Sequence, residues 1–183
     1  MILLDPHLEA DPALKRNLAK SLLASKAAVP SGGAEGPHRM PSARTLARFL
    51  ASAQAAARLK GQVTVLLTTD AAIRKLNRQF RGMNKATDVL SFPAEGVGAE
   101  KLAGDLAISV ATAGKQAREQ GHPIGMEIKV LMLHGVLHLA GYDHETDDGQ
   151  MARREQRLRT RLGLPSGLIE RAAQTRRVKA KRP

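Results

Sequence analysis

The chain has no cysteine and no tryptophan, and only one tyrosine and three phenylalanines among its 183 residues. Without cysteine there are no disulfides and no thiolate ligands, so a metal would have to be held by histidine, aspartate or glutamate. The aromatic rings are Phe49, Phe80, Phe92 and Tyr142. The three phenylalanines fall where core residues are expected, which argues against a nucleobase-stacking platform of the RRM or OB type. Long hydrophobic runs are missing as well. The most apolar stretch, Ile124 to Ala140, contains Glu127, Lys129, Gly135 and two histidines, and it reads as a buried helix rather than a membrane span. The opening residues MILLDPHLEADP turn acidic after four apolar positions, unlike a secretory signal. These exclusions lead to the expectation of a cytoplasmic protein with no membrane partner.

Acidic residues are in short supply. Seventeen Asp and Glu face 29 Lys and Arg, for a formal net charge of +12. The excess is concentrated from Arg153 to Pro183, where eleven basic residues face only Glu155 and Glu170. A tail such as RRVKAKRP points to an anionic partner, with nucleic acid the first candidate. A solvated tail with no partner has the same composition, so charge alone does not decide.

The length suits one domain with a single core. Residues 24–42 (ASKAAVPSGGAEGPHRMPS) are small and Pro/Gly-rich and read as a flexible loop. The domain is expected over residues 1–164, followed by a basic tail over 165–183. Ser42 is placed to cap a helix running from Ala43 to about Leu59. Gly61 breaks the chain before the β-branched stretch QVTVLLT, which predicts a strand. Asp70 sits at an expected N-cap, ahead of a helix to about Phe80. Further strands are expected at 87–93 and 104–109, and helices at 110–120, 124–140 and 147–162. Strands and helices are mixed without strict alternation, which gives an α/β or α+β fold with a small mixed sheet and packed helices.

The stretch LHGVLHLAGYDHE holds His134, His138 and His144, three of the six histidines. His134 and His138 are four apart and share one helix face. Gly141 stands where a left-handed turn would end that helix and bring His144 back toward the other two. Three nitrogens with a fourth position open is the composition of a catalytic zinc site, placed here at the C-terminal end of a buried helix. A single histidine on an apolar helix is usually a hydrogen-bonded core residue; three at this spacing argue for metal. The spacing equals that of the metzincin proteases, H-E-x-x-H-x-x-G-x-x-H, but Gly135 replaces their general-base glutamate, which argues against peptide hydrolysis.

HGVLHLAGYDH closely resembles the signature of the YbeY family, metal-dependent endoribonucleases of bacterial rRNA maturation. LNRQFRGMNKATDVLSFP, residues 76–93, is similar to that family's block L-N-x-x-Y/F-R-x-x-x-K-x-T-D-V-L-S-F-P, and GDLAIS at 104–109 to a third. The resemblance covers about residues 61–162. It implies that His134, His138 and His144 bind one divalent ion, usually taken as zinc, with nickel or another metal as alternatives. It also implies that Arg81 is needed for activity and that His134 belongs to the catalytic apparatus. The implied substrate is single-stranded RNA, at the 3′ end of small-subunit (16S) rRNA and in ribosome quality control. The implied partners are the small ribosomal subunit, its proteins and a ribosome-assembly GTPase. Residues 5–41 are longer than the family's usual link, and the extension after Leu164 is more basic. The rival readings are a non-catalytic ribosome-assembly factor with a structural metal and a metal-dependent hydrolase of another substrate.

Several residues have two readings. Arg81 is either a phosphate-binding guanidinium or an ordinary surface arginine after a helix. Asp143, Glu145 and a metal-bound hydroxide are all candidates for taking the nucleophile's proton. Glu127 either orients a ligand histidine or is a partly exposed helix-end acid. Asp88 and Asp105 are expected to make structural hydrogen bonds, and Tyr142 to pack around the site. His7, His38 and His122 lie in loops or near helix ends and need no function.

Overall fold

The computed structural model describes residues 1–8, 40–95 and 101–165. Alternation in QVTVLLT puts Val63, Val65 and Leu67 on a buried face of strand β2, Gln62–Thr68. The strand pairs in parallel with the short β1, Ile2–Leu4, on one side and with β4, Leu102–Ser109, on the other. Strand β3, Val89–Pro93, pairs antiparallel with β4. The sheet is therefore mixed and four-stranded, in the order β1-β2-β4-β3. Together with the five α-helices of the described residues it forms the single α+β domain expected from the sequence.

Helix α1, Ala43–Ala57, starts where Ser42 accepts a hydrogen bond from Thr45 N–H, as anticipated. Its Leu46, Leu50 and Ala53 face the main core. Helix α2, Asp70–Arg81, lies on the opposite face of the sheet, where Ile73 meets Leu90 and Ala107. Its cap is Thr69, not Asp70: the Thr69 hydroxyl accepts from Ala72 N–H. Asp70 is the first helical residue, and its carboxylate accepts from the hydroxyls of Ser109 and Thr112. It thereby ties the start of α2 to helix α3, Val110–Gln120.

The apolar stretch forms helix α4, Ile124–Leu139, which is buried on almost every side between α1, α3 and the sheet. Gly135 allows that depth. A Cβ there would fall 2.7 Å from Leu106 Cδ2 and 3.3 Å from Ser91 Oγ. The position that metzincins give to glutamate is thus pressed against the sheet, with no room for a carboxylate. Helix α5, Gln150–Leu162, begins later than the expected residue 147. Asp147 precedes it, and its carboxylate accepts from Gly149 N–H at 2.8 Å and Met151 N–H at 2.7 Å. Arg154 Nη2 donates to Ala56 O at 2.9 Å, fastening α5 to the end of α1.

Two sequence expectations fall mostly on residues 9–39 and 166–183, outside the described residues: the loop at 24–42 and the tail at 165–183. Of that loop, Met40 joins the core and Ser42 is the cap. Among the described residues, no helix is long and apolar enough to cross a membrane.

Candidate metal centre and its groove

The C-terminal turn of α4 carries His134 and His138 on one face, with Nε2 atoms 3.1 Å apart. The helix stops at Ala140. Gly141 adopts φ +86°, and Gly141 N–H and Tyr142 N–H cap the carbonyls of His138 and Leu137 at 3.0 and 3.1 Å. That left-handed turn sends the chain back as anticipated and delivers His144. Its ring centroid lies 5.1 Å from that of His134 and 5.2 Å from that of His138. Ligand nitrogens of all three lie within 4.8 Å of one another.

The donor set fits a metal ion. Tetrahedral zinc with Zn–N bonds of about 2.0–2.1 Å separates its nitrogens by about 3.3 Å, close to the His134–His138 spacing. Behind His134, the buried Glu155 carboxylate sits 3.3 Å from Nδ1. A carboxylate there accepts a hydrogen bond from Nδ1–H, which favours the tautomer with its free electron pair on Nε2, the nitrogen that faces His138. Burial, and then the neighbouring imidazoles, lower the His138 pKa from 6.5 to about 4. His138 is therefore neutral at physiological pH and has no proton to shed before coordinating.

A carboxylate beside a cluster histidine comes from α5. Glu127 is fully buried, and its Oε2 lies 3.0 Å from His122 Nε2. It is not a partly exposed helix-end acid. His122, expected to be idle, is its partner. Glu155 is the residue the sequence reading missed. Its signal was available: an acid within the α5 stripe Met151, Glu155, Leu158, whose other two members are core residues.

Asp143 has both carboxylate oxygens committed to the loop. Oδ1 accepts from Glu145 N–H at 3.0 Å and Oδ2 from the Thr146 hydroxyl at 2.9 Å. Those bonds, the Glu145 N–H first, hold its pKa below the usual carboxylate value. Asp143 thus shapes the turn that presents His144, and it is a poor proton acceptor. Arg81, at the end of α2, reaches the same groove as the histidines, with Nη2 3.9 Å from Glu145 Oε1. Both side chains are well exposed.

Asp88 makes the structural bonds expected of it, receiving Val89 N–H and Gln116 Nε2, each at 2.8 Å. Asp105 is exposed and makes no such bond among the described residues. Tyr142 packs against the core beside the site. His7 lies in a short 3-10 turn, Pro6–Leu8, and His38 is outside the described residues. Phe80 departs from expectation: it is 58% exposed, on the groove rather than in the core.

The family profile described as "Endoribonuclease YbeY" matches residues 39–163, the segment that contains the histidine cluster, the described groove residues and strands β2, β3 and β4. The chain belongs to the YbeY family. A relative from Koribacter versatilis, "Endoribonuclease YbeY", is 51% identical over 141 residues, covering 77% of this chain and 91% of that one. A YbeY protein of the same description from Solibacter usitatus is 61% identical over 106 residues, 58% of this chain and 69% of its own. A solution structure from Thermotoga maritima, TM1509, aligns with TM-score 0.46 at 29% identity, covering 69% of this chain and 82% of that one.

Proposed function

We propose that this chain is a cytoplasmic endoribonuclease that cuts single-stranded RNA with a divalent ion, zinc in the first instance, held by His134, His138 and His144. The observation that carries this reading is the convergence of three imidazole nitrogens within 4.8 Å, with the carboxylate of Glu155 behind one of them. An ion held there supplies Lewis acidity toward water and a phosphoryl oxygen. The remaining work falls to side chains of the groove. Its described lining contains five carboxylates and one guanidinium, so side-chain attraction for a phosphate rests on Arg81. A planar guanidinium matches two oxygens of a phosphodiester and stabilises the charge that builds on them during cleavage.

In the resting protein Arg81 is loosely paired with Glu145. An exposed pair at 3.9 Å is worth at most about 1 kcal/mol, so a phosphate can replace the carboxylate at little cost. That exchange frees Glu145 at the rim of the site, and Glu145 is then the carboxylate available to take a proton from the nucleophile. Asp143 is held in its turn. Outside the groove, Arg74, Lys75 and Arg78 are exposed along α2 and lead toward Arg81, which suits binding through phosphates with a steep salt dependence. The cellular substrate is the 3′ end of small-subunit rRNA in this reading, and the small ribosomal subunit with an assembly GTPase supplies the choice of site.

The test is cleavage of an end-labelled single-stranded RNA by metal-loaded protein beside identically purified His144→Ala. Cleavage by the wild type alone is expected. Equal cleavage by both, or by neither, overturns the nuclease reading. Co-sedimentation of both proteins with small subunits then tests a purely assembly-related role.

A further inference from the structure

Phe80 is out of place by the logic of its own helix. It lies seven residues after Ile73 and four after Leu76, on the stripe that α2 turns to the sheet. Yet α2 ends one residue later, and at that end the sheet beneath has run out to the edge strand β3. The ring therefore projects past the apolar layer, 58% exposed, in a chain with three phenylalanines in all. It is also not loose. Phe92, on β3, meets it edge-on with ring centroids 5.1 Å apart and planes at 67°, the geometry aromatic quadrupoles favour. Both rings line the groove that holds the three histidines, and the residue after Phe80 is Arg81.

We propose that Phe80, braced by Phe92, is a base-stacking subsite that holds one unpaired nucleobase of the RNA while the adjacent Arg81 holds its phosphate. The inference rests on the nuclease reading for its ligand and deepens it. A base can lie on an exposed ring only if it has left its duplex, so this subsite would make the groove select single strands by shape. Stacking uses a π-face that every base possesses, so it is tolerant of sequence, with the larger purines favoured. One ring supports one base, which differs from the multi-ring platforms that the aromatic count excludes.

The test uses zinc-loaded full-length protein and a set of single-stranded oligoribonucleotides with 2-aminopurine at each position in turn. Fluorescence quenching reports stacking and anisotropy reports binding, neither of which requires cleavage. Quenching is expected at one position, lost in Phe80→Ala and Phe80→Leu and kept in Phe80→Trp. Leucine preserves apolar area without a π-face, so it separates stacking from simple hydrophobic cover. Binding should weaken by about tenfold to a hundredfold in the alanine variant, and an abasic site at that position should make wild type and variant equal. In cleavage assays the loss should appear in KM. Equal quenching by wild type, Phe80→Ala and Phe80→Leu overturns the subsite and leaves the nuclease standing. Phe80-dependent quenching with no His144-dependent cleavage keeps the subsite and removes the nuclease reading. A wild type that neither binds nor quenches overturns both.

Discussion

The two halves of the histidine cluster are built in opposite ways. His134 and His138 project from α4, a helix closed in by α1, α3 and the sheet, and His134 is further fixed by the buried Glu155. His144 stands on an exposed turn whose shape comes from hydrogen bonds within the turn itself, those of Asp143 to Glu145 and Thr146. The helix half is a consequence of folding and exists whether or not a metal is bound. The loop half depends on a few solvent-facing hydrogen bonds, each worth about 1 kcal/mol, and it gains most from a bound ion. A rigid pair with an adjustable third imidazole would let an ion held there exchange its other ligands without disturbing the core.

Substitutions should separate the halves. The largest effect is expected from His144→Ala, which removes one imidazole of the cluster without touching the core. It should abolish tight metal binding and cleavage, while the melting temperature of metal-stripped protein stays within a degree or two of wild type, consistent with a surface change of about 0.5 kcal/mol or less. Gly135→Val should do the reverse in kind. Overpacking Leu106 and Ser91 should cost about 1–3 kcal/mol with or without metal, read as an earlier urea midpoint in both states.

Glu155→Gln lies between them. The fold should survive, but the loss of a carboxylate behind His134 should weaken zinc affinity about 10- to 100-fold in a chelator competition. Asp143→Ala should loosen only the turn, with a drop in zinc affinity of less than about tenfold and little change in metal-free stability. The smallest effect lies far from both halves. The Thr68 hydroxyl holds the Asp5 carboxylate below its ordinary pKa of 3.8. A carboxylate lowered on folding contributes stability above its unfolded pKa and loses it as pH falls through the folded one. Asp5→Asn should therefore lower the melting temperature slightly at neutral pH, and the gap to wild type should close below about pH 4 without altering metal binding.

What the sequence disclosed follows the range of the interactions involved. The pair His134 and His138, the reversal at Gly141 and the Ser42 cap are local, set within a few residues by helical period and backbone sterics, and all were legible. For Glu155 only the anomaly of an acid in an apolar stripe was legible; its partner was not, because it lies 21 residues away on another helix. Glu127 differs: its contact with His122 is only five residues away, but helical period pointed from Glu127 to the cluster and gave no sign of the turn that brings His122 back to it. At the start of α2, Thr69 and Asp70 are both good capping residues, and the hydroxyls of Ser109 and Thr112 draw Asp70 into another role. Phe80 follows the helical stripe faithfully. What no local rule supplies is where the sheet beneath that stripe ends.

Among the described residues, strand β3 is the outer edge of the sheet and pairs only with β4, so part of its main chain lies outside the ladder. All five of its residues also line the groove. Peptide N–H and C=O groups there are present whatever the side chains are. Any contact a substrate makes with them is invisible to alanine scanning, which would report a smaller footprint than the molecule uses. Amide-to-ester replacement along 89–92, rather than side-chain truncation, would reveal that part of the surface.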